Sequence, residues 1–184
     1  MAIALRCLWI AIVLAAAPMA ASAETPDRPI KDFFGSFVGR SISTIEEGLS
    51  ERDLAVTIKP YKDNGFTVEW TTLIRKKNAD WSRKSYSINF GPTKRPGIYG
   101  SEMRSNMFGG AVPLDPLQGE PFFWARIEGD TLSVYGLIIR EDGGYEMQVY
   151  ERTWTPKGLE LKFTRFRNGQ ALKLISGVLE RTGG

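Results

Sequence analysis

The feature that most constrains the fold is a period-two alternation of apolar and polar residues, interrupted at short intervals by turn sequences. In the clearest stretch, Leu54, Val56 and Ile58 alternate with polar or small neighbours. The turn sequence 62–65 follows, and the alternation then resumes from Phe66 to Ile74. Period two is the repeat of a half-buried strand, and an Asn-Gly pair favours a tight reversal. This region therefore predicts a β-hairpin.

The same pattern predicts strands along the rest of the chain. These candidate strands cover Lys84–Phe90, Ile98–Met103, Phe122–Ile127, Thr131–Arg140, Tyr145–Trp154, Leu159–Phe166 and Ala171–Arg181. Glycine, proline, asparagine and aspartate separate the last five, so sequence neighbours are expected to pair in space. The one candidate helix, of one or two turns, lies between Ser43 and Arg52.

Strands in this order form either a two-layer sandwich or a closed barrel, and closure removes the exposed edges of a long meander. We therefore expect an all-β fold, a single antiparallel meander barrel of about 8–10 strands with a short helix after the first strand.

The amino terminus has the order of a secretory signal peptide. One basic residue precedes an apolar run from Leu8 to Ala17, and small residues lead to Ala23. We expect residues 1–23 to be a signal peptide cleaved after Ala23, which indicates a periplasmic or secreted protein. Residues 24–30 are then expected to be a flexible lead-in, and residues 31–184 the barrel domain.

The composition excludes several kinds of chemistry. The only cysteine, Cys7, lies in the expected signal peptide, and the chain contains no histidine. Disulfides, thiolate nucleophiles, imidazole catalysis and histidine-ligated metals are therefore not expected, and we predict no metal site and no cofactor. The net charge of +3 is too balanced to indicate nucleic-acid binding. An enzyme would have to use carboxylates such as Glu46–Glu47, Glu141–Asp142 or Asp115 with Glu120, which all lie in predicted turns or helix starts.

The first and last predicted strands carry a family resemblance. The first contains Gly35 and Phe37, and the last ends at Arg181. With the meander between them, this arrangement resembles the calycin superfamily of lipocalins and fatty-acid-binding-protein-like barrels. In that superfamily a Gly-x-Trp on the first strand packs beneath a basic residue of the closing strand, and here phenylalanine stands in place of the tryptophan. The resemblance implies a barrel closed at one end, with a cavity for a small, largely apolar ligand.

Several aromatic and apolar residues share the apolar parity of successive strands, and they are candidates for one shared interior. They are Trp70, Tyr86, Trp124, Tyr145 and Met147. Such residues line a ligand cavity in wider barrels and fill the core in narrower ones, and the sequence leaves both readings open.

Arg126 is the candidate anchor for a ligand anion. It shares parity with Trp124, and a guanidinium inside the cavity would bind a carboxylate or phosphate. However, Phe123, Ala125 and Ile127 form an equally apolar opposite face, and burial of that face would place Arg126 in water.

A cluster of basic residues around a tryptophan marks the loop between two predicted strands. We call it the basic loop, and it comprises Arg75, Lys76, Lys77, Trp81, Arg83 and Lys84. Cations beside an interfacial tryptophan suit an anionic lipid or a polysaccharide of the cell envelope. The alternative is a solvated loop that only keeps the protein soluble.

These observations lead to an expected function. We expect an exported, non-catalytic barrel that binds a small hydrophobic or amphipathic molecule. The alternative is an envelope interaction or structural protein with a filled barrel, which uses the basic loop as its working surface. The interior separates the two, because only the first needs a cavity.

Overall fold

The computed structural model describes residues 26–44, 50–75, 81–105 and 110–182, and in these residues the fold is all-β. The strands are β1 (Gly35–Thr44), β2 (Ser50–Tyr61), β3 (Gly65–Arg75), β4 (Trp81–Pro92), β5 (Ile98–Ser101), β6 (Arg104–Ser105), β7 (Ala111–Val112), β8 (Phe122–Glu128), β9 (Thr131–Ile139), β10 (Tyr145–Thr155), β11 (Gly158–Arg167) and β12 (Gln170–Thr182). The helical structure in the described residues consists of two 3-10 turns, Ile30–Phe33 and Pro116–Gln118. Neither turn has the length or hydropathy to cross a membrane.

Ten of these strands form one closed antiparallel barrel in the order β1-β12-β11-β10-β9-β8-β5-β4-β3-β2, and β6 pairs with β7 in a separate ribbon. Apart from the closing pair and the step over that ribbon, each strand neighbours the next strand in the chain. The closing pair joins the two ends of the barrel, with Ser36 opposite Thr182. The single antiparallel meander barrel predicted from the alternation is therefore confirmed.

The predicted helix between Ser43 and Arg52 is wrong at both of its ends. β1 continues to Thr44, β2 begins at Ser50, and Ser43 pairs with Ser50 in an antiparallel ladder. The ladder gives these backbone groups cross-strand partners in place of helical ones. Residues 45–49, the middle of the predicted helix, lie outside the described part of the chain.

The turn between β2 and β3 is built differently from the sequence expectation. Positive φ angles occur at Lys62 (43°) and Asn64 (62°), whereas the φ of Gly65 is not positive. Gly65 is instead needed for space, since a Cβ there would lie 2.5 Å from the carbonyl oxygen of Phe90 and 2.6 Å from that of Tyr61. The glycine allows two neighbouring backbones to approach this turn closely.

Substituting Gly65 with valine is expected to destabilise the protein by about 1–3 kcal/mol, because backbone must move to admit the side chain. Asn64→Gly is the matched control, and it is expected to change stability little because glycine tolerates the positive φ of Asn64. Urea unfolding of both variants checks this prediction. An unchanged midpoint for the valine variant would mean that the two backbones are not in close contact.

The apolar core fills one half of the barrel. Phe66 stacks on Phe90 with ring centroids 5.1 Å apart, and Tyr99 packs edge-on against Phe66 at 4.9 Å. The buried residues around these rings include Val56, Ile58, Val68, Ile88, Ala125, Ile127, Leu132, Val134, Leu159 and Leu179. This half of the interior is therefore occupied by side chains.

The segment before β1 packs across the end of this filled half. Phe33 is fully buried in the core. The lead-in that the sequence predicts to be flexible makes specific contacts here. Asp27 accepts a hydrogen bond from the backbone N–H of Gly129, and the guanidinium of Arg28 lies 3.9 Å from the ring centroid of Trp154 and bonds to Asp130. Together these contacts hold the segment against the turn between β8 and β9.

Along much of its length, β4 has a described partner strand on one edge only. β5 has four residues, and β4 pairs with it only from Phe90 to Pro92. From Trp81 to Ile88 the outer edge of β4 pairs with no described strand. As a result Tyr86 is 51% exposed, although the buried Ile88 and Phe90 share its side of the strand.

Candidate functional site

The other half of the barrel contains an interior cavity of about 200 Å³. Its apolar wall is formed by Leu54, Val56, Ile74, Leu161, Phe163 and Ile175. Val56 and Leu161 also belong to the core cluster, so the cavity begins where the filled half of the barrel ends. Inward-facing side chains of β2, β3, β4, β10, β11 and β12 therefore line a site for a small molecule.

Four aromatic rings form a continuous group in the cavity wall. Trp70, 8% exposed, stacks on Tyr86 with centroids 5.1 Å apart and planes at 23°. Tyr150 lies 5.2 Å from Trp70 on the other side, and Phe163 lies 4.6 Å from Tyr150. Cross-strand pairing explains the grouping, because Trp70 is opposite Tyr86 and Tyr150 is opposite Phe163.

Basic side chains form much of the polar wall. They are Arg52, Lys84, Arg152, Arg165 and Lys173. Among the described residues, no aspartate or glutamate lines the cavity. The site therefore combines an apolar body with a positively charged surface.

Arg152 is the most buried of these cations, with 1% of its surface exposed. Its guanidinium carbon lies 5.7 Å from the ring centroid of Trp70 and 5.8 Å from that of Tyr150. Within the described part of the chain, its Nε and Nη1 atoms have no hydrogen-bond partner. Burial lowers the pKa of Arg152 to about 10, and Tyr150 opposes this effect.

A chain of hydrogen bonds leads away from the aromatic group. The Tyr150 hydroxyl donates to Oε1 of Gln148 at 2.8 Å, and Nε2 of Gln148 donates to Oε1 of Glu146 at 2.9 Å. Glu146 also lies 3.7 Å from Nη2 of Arg167. Burial raises the pKa of Tyr150 to about 12, so this hydroxyl keeps its proton at neutral pH.

A larger concavity, of about 910 Å³, lies on the outer surface of β10, β11, β12 and β1. It is open to solvent, and the charged Glu151 and Lys162 in it pair with each other at 3.3 Å. We favour the smaller interior cavity as the candidate site, because it is less open to solvent and its wall contains buried polar groups, as in small-molecule sites.

Two of the predicted ligand-binding residues meet in the cavity, and two lie on the outer face of β8. Trp70 and Tyr86 both line the cavity. Ala125 and Ile127 are buried while Arg126 is exposed, so Trp124 faces outward, contrary to prediction, and Arg126 lies in water, the alternative that the sequence left open. Both faces of β8 carry apolar residues, and the face with Phe123, Ala125 and Ile127 is the one that packs into the core.

Contacts confirm this outward orientation. Trp124 stacks on Tyr135 of β9 with centroids 5.0 Å apart and planes at 11°. Nη2 of Arg126 donates to Oε1 of Glu128 at 2.7 Å, in solvent. Arg126 therefore cannot anchor a ligand inside the barrel.

Tyr145 and Met147 also lie on the outer face, contrary to prediction. In the ladder between β9 and β10, buried Val134 pairs with Tyr150 and buried Leu132 pairs with Arg152, so the even-numbered residues of β10 point inward. This assigns the odd-numbered Tyr145 and Met147 to the outside.

The three residues named for barrel closure lie together. Phe37 is fully buried and pairs with Arg181, whose guanidinium carbon lies 4.7 Å from the Phe37 ring centroid. The guanidinium of Arg181 donates to the backbone oxygens of Phe34 and Asp32. A Cβ at Gly35, where φ is 149°, would overlap Nη1 of Arg181. Only glycine at this position allows the arginine to cross the strand.

The basic loop is described in part. Arg83 and Lys84 are exposed on β4, and Lys84 also lines the cavity. Lys76 and Lys77 lie outside the described residues, as do the side chains of Arg75 and Trp81. The part of the loop that carries most of its charge therefore has no structural description.

Sequence reasoning missed Arg152, Tyr150 and Phe163. The available signal was the alternation of Tyr150, Arg152 and Trp154 along β10. The competing alternation of Tyr145, Met147 and Val149 on the same strand is more uniformly apolar, and it obscured the correct face.

Comparison with known proteins gives a likeness of fold. The structure is similar to the crystal structure of a protein with unknown function from the DUF3598 family of Nostoc punctiforme, with a TM-score of 0.54 and 12% sequence identity. The match covers 92% of this chain and 54% of that one, so this chain spans about half the length of the solved structure. No protein-family model matches the chain, and no curated protein matches it. The likeness supports the β-barrel fold alone.

Proposed function

We propose that this protein is a non-catalytic binding protein that holds one small amphipathic molecule inside its barrel. The observation that carries the proposal is the partly enclosed interior cavity of about 200 Å³ beside Trp70 and Tyr150. An apolar, aromatic-lined cavity with a few buried polar groups is the usual form of a small-molecule site. The volume is below the roughly 300–1,000 Å³ of drug-sized sites, so the expected ligand is small.

The closure of the barrel supports the same proposal. The Phe37–Arg181 contact has the form that the calycin resemblance implies, with the arginine crossing over an aromatic ring of the first strand. Calycin barrels are closed at one end and bind small, largely apolar ligands in the interior. The amino-terminal pattern adds the expectation that the protein works in the periplasm or outside the cell.

A second candidate function uses the surface beside β4. Arg83 and Lys84 are exposed there, next to a strand edge that pairs with no described strand. This favours contact with an anionic envelope lipid or polysaccharide. It requires no cavity, so the occupancy of the barrel interior separates the two functions.

Native mass spectrometry of protein purified from its own host tests the first function. We expect a stoichiometric small molecule on the wild type, and we expect Trp70→Leu to weaken its binding about 2- to 10-fold and so to lower the bound fraction, because an aromatic stacking contact contributes about 0.5–1.5 kcal/mol. Trp124→Leu is the matched control, since Trp124 stacks on the outer face, and it should keep the ligand.

Two outcomes would contradict the proposal. The first is a clean apo mass for all three proteins, repeated after incubation with an extract of envelope lipids and small metabolites. The second is loss of the ligand in the Trp124 variant but not in the Trp70 variant. Either would favour the surface function instead.

A further inference from the structure

The side chain of Arg152 is a buried cation without its expected partners. It is 1% exposed, it lines the cavity, and its Nε and Nη1 atoms make no hydrogen bond to any described residue. Taking a charge out of water is costly unless it is paired and hydrogen-bonded. A guanidinium retained in this position therefore points to a partner that arrives from outside the chain.

Glu146, the acidic residue of β10 on the same side of the strand as Arg152, does not serve as that partner. Glu146 accepts a hydrogen bond from Gln148 and faces Arg167. Among the described residues, no aspartate or glutamate lies within salt-bridge distance of Arg152. The Tyr150 hydroxyl donates a hydrogen bond to Gln148, and its oxygen accepts none from Nε or Nη1 of Arg152.

The neighbours of Arg152 define the rest of the ligand. Trp70 and Tyr150 lie against the guanidinium at 5.7 and 5.8 Å, and Phe163 continues the aromatic wall beyond Tyr150. Aromatic rings prefer stacked or edge-on contacts with other rings. The planar fork of an arginine matches the two oxygens of a carboxylate.

We propose that the cavity binds a small aromatic carboxylate, whose two oxygens accept hydrogen bonds from Arg152 and whose ring packs against Trp70 and Tyr150. This inference rests on the proposed function and adds the charge and shape of the ligand. Arg52, Lys84, Arg165 and Lys173 line the same cavity and add to its preference for an anion.

A pair of matched probes tests the inference. The carboxylate 2-naphthoate and its neutral isostere 2-naphthamide have the same ring and nearly the same size, so they differ mainly in charge. By isothermal titration calorimetry at pH 7.5 and low salt, we expect the wild type to bind the carboxylate about 10- to 100-fold more tightly, the ratio typical of hydrogen bonds to a charged group.

Arg152→Met should abolish this preference while leaving the binding of 2-naphthamide within about threefold of wild type, since methionine keeps the apolar volume. Arg126→Met is the matched control, because Arg126 lies on the outer face paired with Glu128, and it should keep the full preference. A thermal melt of each variant verifies folding. If the Arg152 variant does not fold, the ratio of the two probes on the wild type still decides the charge preference.

The outcomes separate this inference from the proposed function. Equal affinity of the wild type for both probes would overturn the carboxylate preference but would leave a binding cavity in place. A preference that survives in Arg152→Met would overturn the role of Arg152. Failure of both probes to bind would exclude a small aromatic carboxylate, whereas the proposed function stands or falls with the ligand carried by the purified protein.

Discussion

Replacing Phe37 with alanine is expected to lower the free energy of unfolding by about 3–5 kcal/mol, the range for removing a fully buried aromatic ring. Phe37 is 0% exposed at the start of β1, and the guanidinium of Arg181 lies 4.7 Å from its ring centroid. The substitution therefore leaves a cavity and removes the surface on which Arg181 rests. β1 is hydrogen-bonded to β12 on one side and to β2 on the other. Because these ladders hold the backbone in place, the structure around the ring can collapse into that cavity only in part.

Urea denaturation followed by circular dichroism measures this loss. Val38→Ala is the matched control, because Val38 is the next residue on the same strand and 46% exposed on the outer face. The control is expected to change stability by no more than about 0.5 kcal/mol. A loss below about 1 kcal/mol for the Phe37 variant would show that this ring does not support the closed end of the barrel.

Replacing Arg152 with methionine is expected to stabilise the unliganded protein by about 1–3 kcal/mol. Burial lowers the pKa of Arg152 from the ordinary value of an arginine to about 10. A shift of that size corresponds to roughly 3 kcal/mol of unfavourable free energy for the charged form. Methionine fills the same space without a charge and also packs well against aromatic rings. The gain should appear as a higher midpoint in chemical denaturation at pH 8, whereas Arg126→Met should show no gain.

The pH dependence of this gain has a defined sign. The pKa of Arg152 is lower in the folded than in the unfolded state. The unfavourable free energy of its buried charge is therefore fully present below pH 10 and decreases as the pH rises above 10 towards the pKa of the unfolded state. The advantage of the variant should therefore shrink above pH 10. Tyr150, with a pKa raised to about 12, destabilises both proteins in this range. Since Arg152 lowers the pKa of Tyr150, the effect is larger in the variant and adds to the loss of its advantage.

A variant that is less stable than the wild type by 1 kcal/mol or more at pH 8 would contradict this prediction. It would mean that Arg152 has a stabilising partner in the unliganded protein. Stability and ligand affinity are thus expected to change in opposite directions at this residue, which is common where a site retains an unfavourable group for binding.

The order of the last five strands could be predicted from the sequence because residues that reverse the chain stand between them. Asn168 has a φ of 47° and Gly169 one of 83°, as the tight turn between β11 and β12 requires. Such turns pair each strand with its neighbour, so the meander follows from local chemistry. The helix prediction failed where a cross-strand ladder outweighed the preference of Thr44 for a helix start.

The direction of the side chains could be predicted only where one face of a strand is clearly apolar. This holds for β3, where Phe66, Val68 and Trp70 are all buried. It fails for β10, whose inner face carries Gln148, Tyr150 and Arg152 because that face lines the cavity. A rule that assigns apolar residues to the interior is least reliable at a polar site inside the barrel.

The closing pair of strands also affects how the barrel assembles. Ser36 is opposite Thr182, so β1 obtains its second neighbour only when the final strand is present. Closing so long a loop costs conformational entropy, and non-local pairing of this kind slows folding. Until then one edge of β1 and one edge of β11 are unpaired and can associate with other chains. β12 covers both of these edges when it pairs with β1 and β11, so the closing of the barrel and the protection of the two edges are one event.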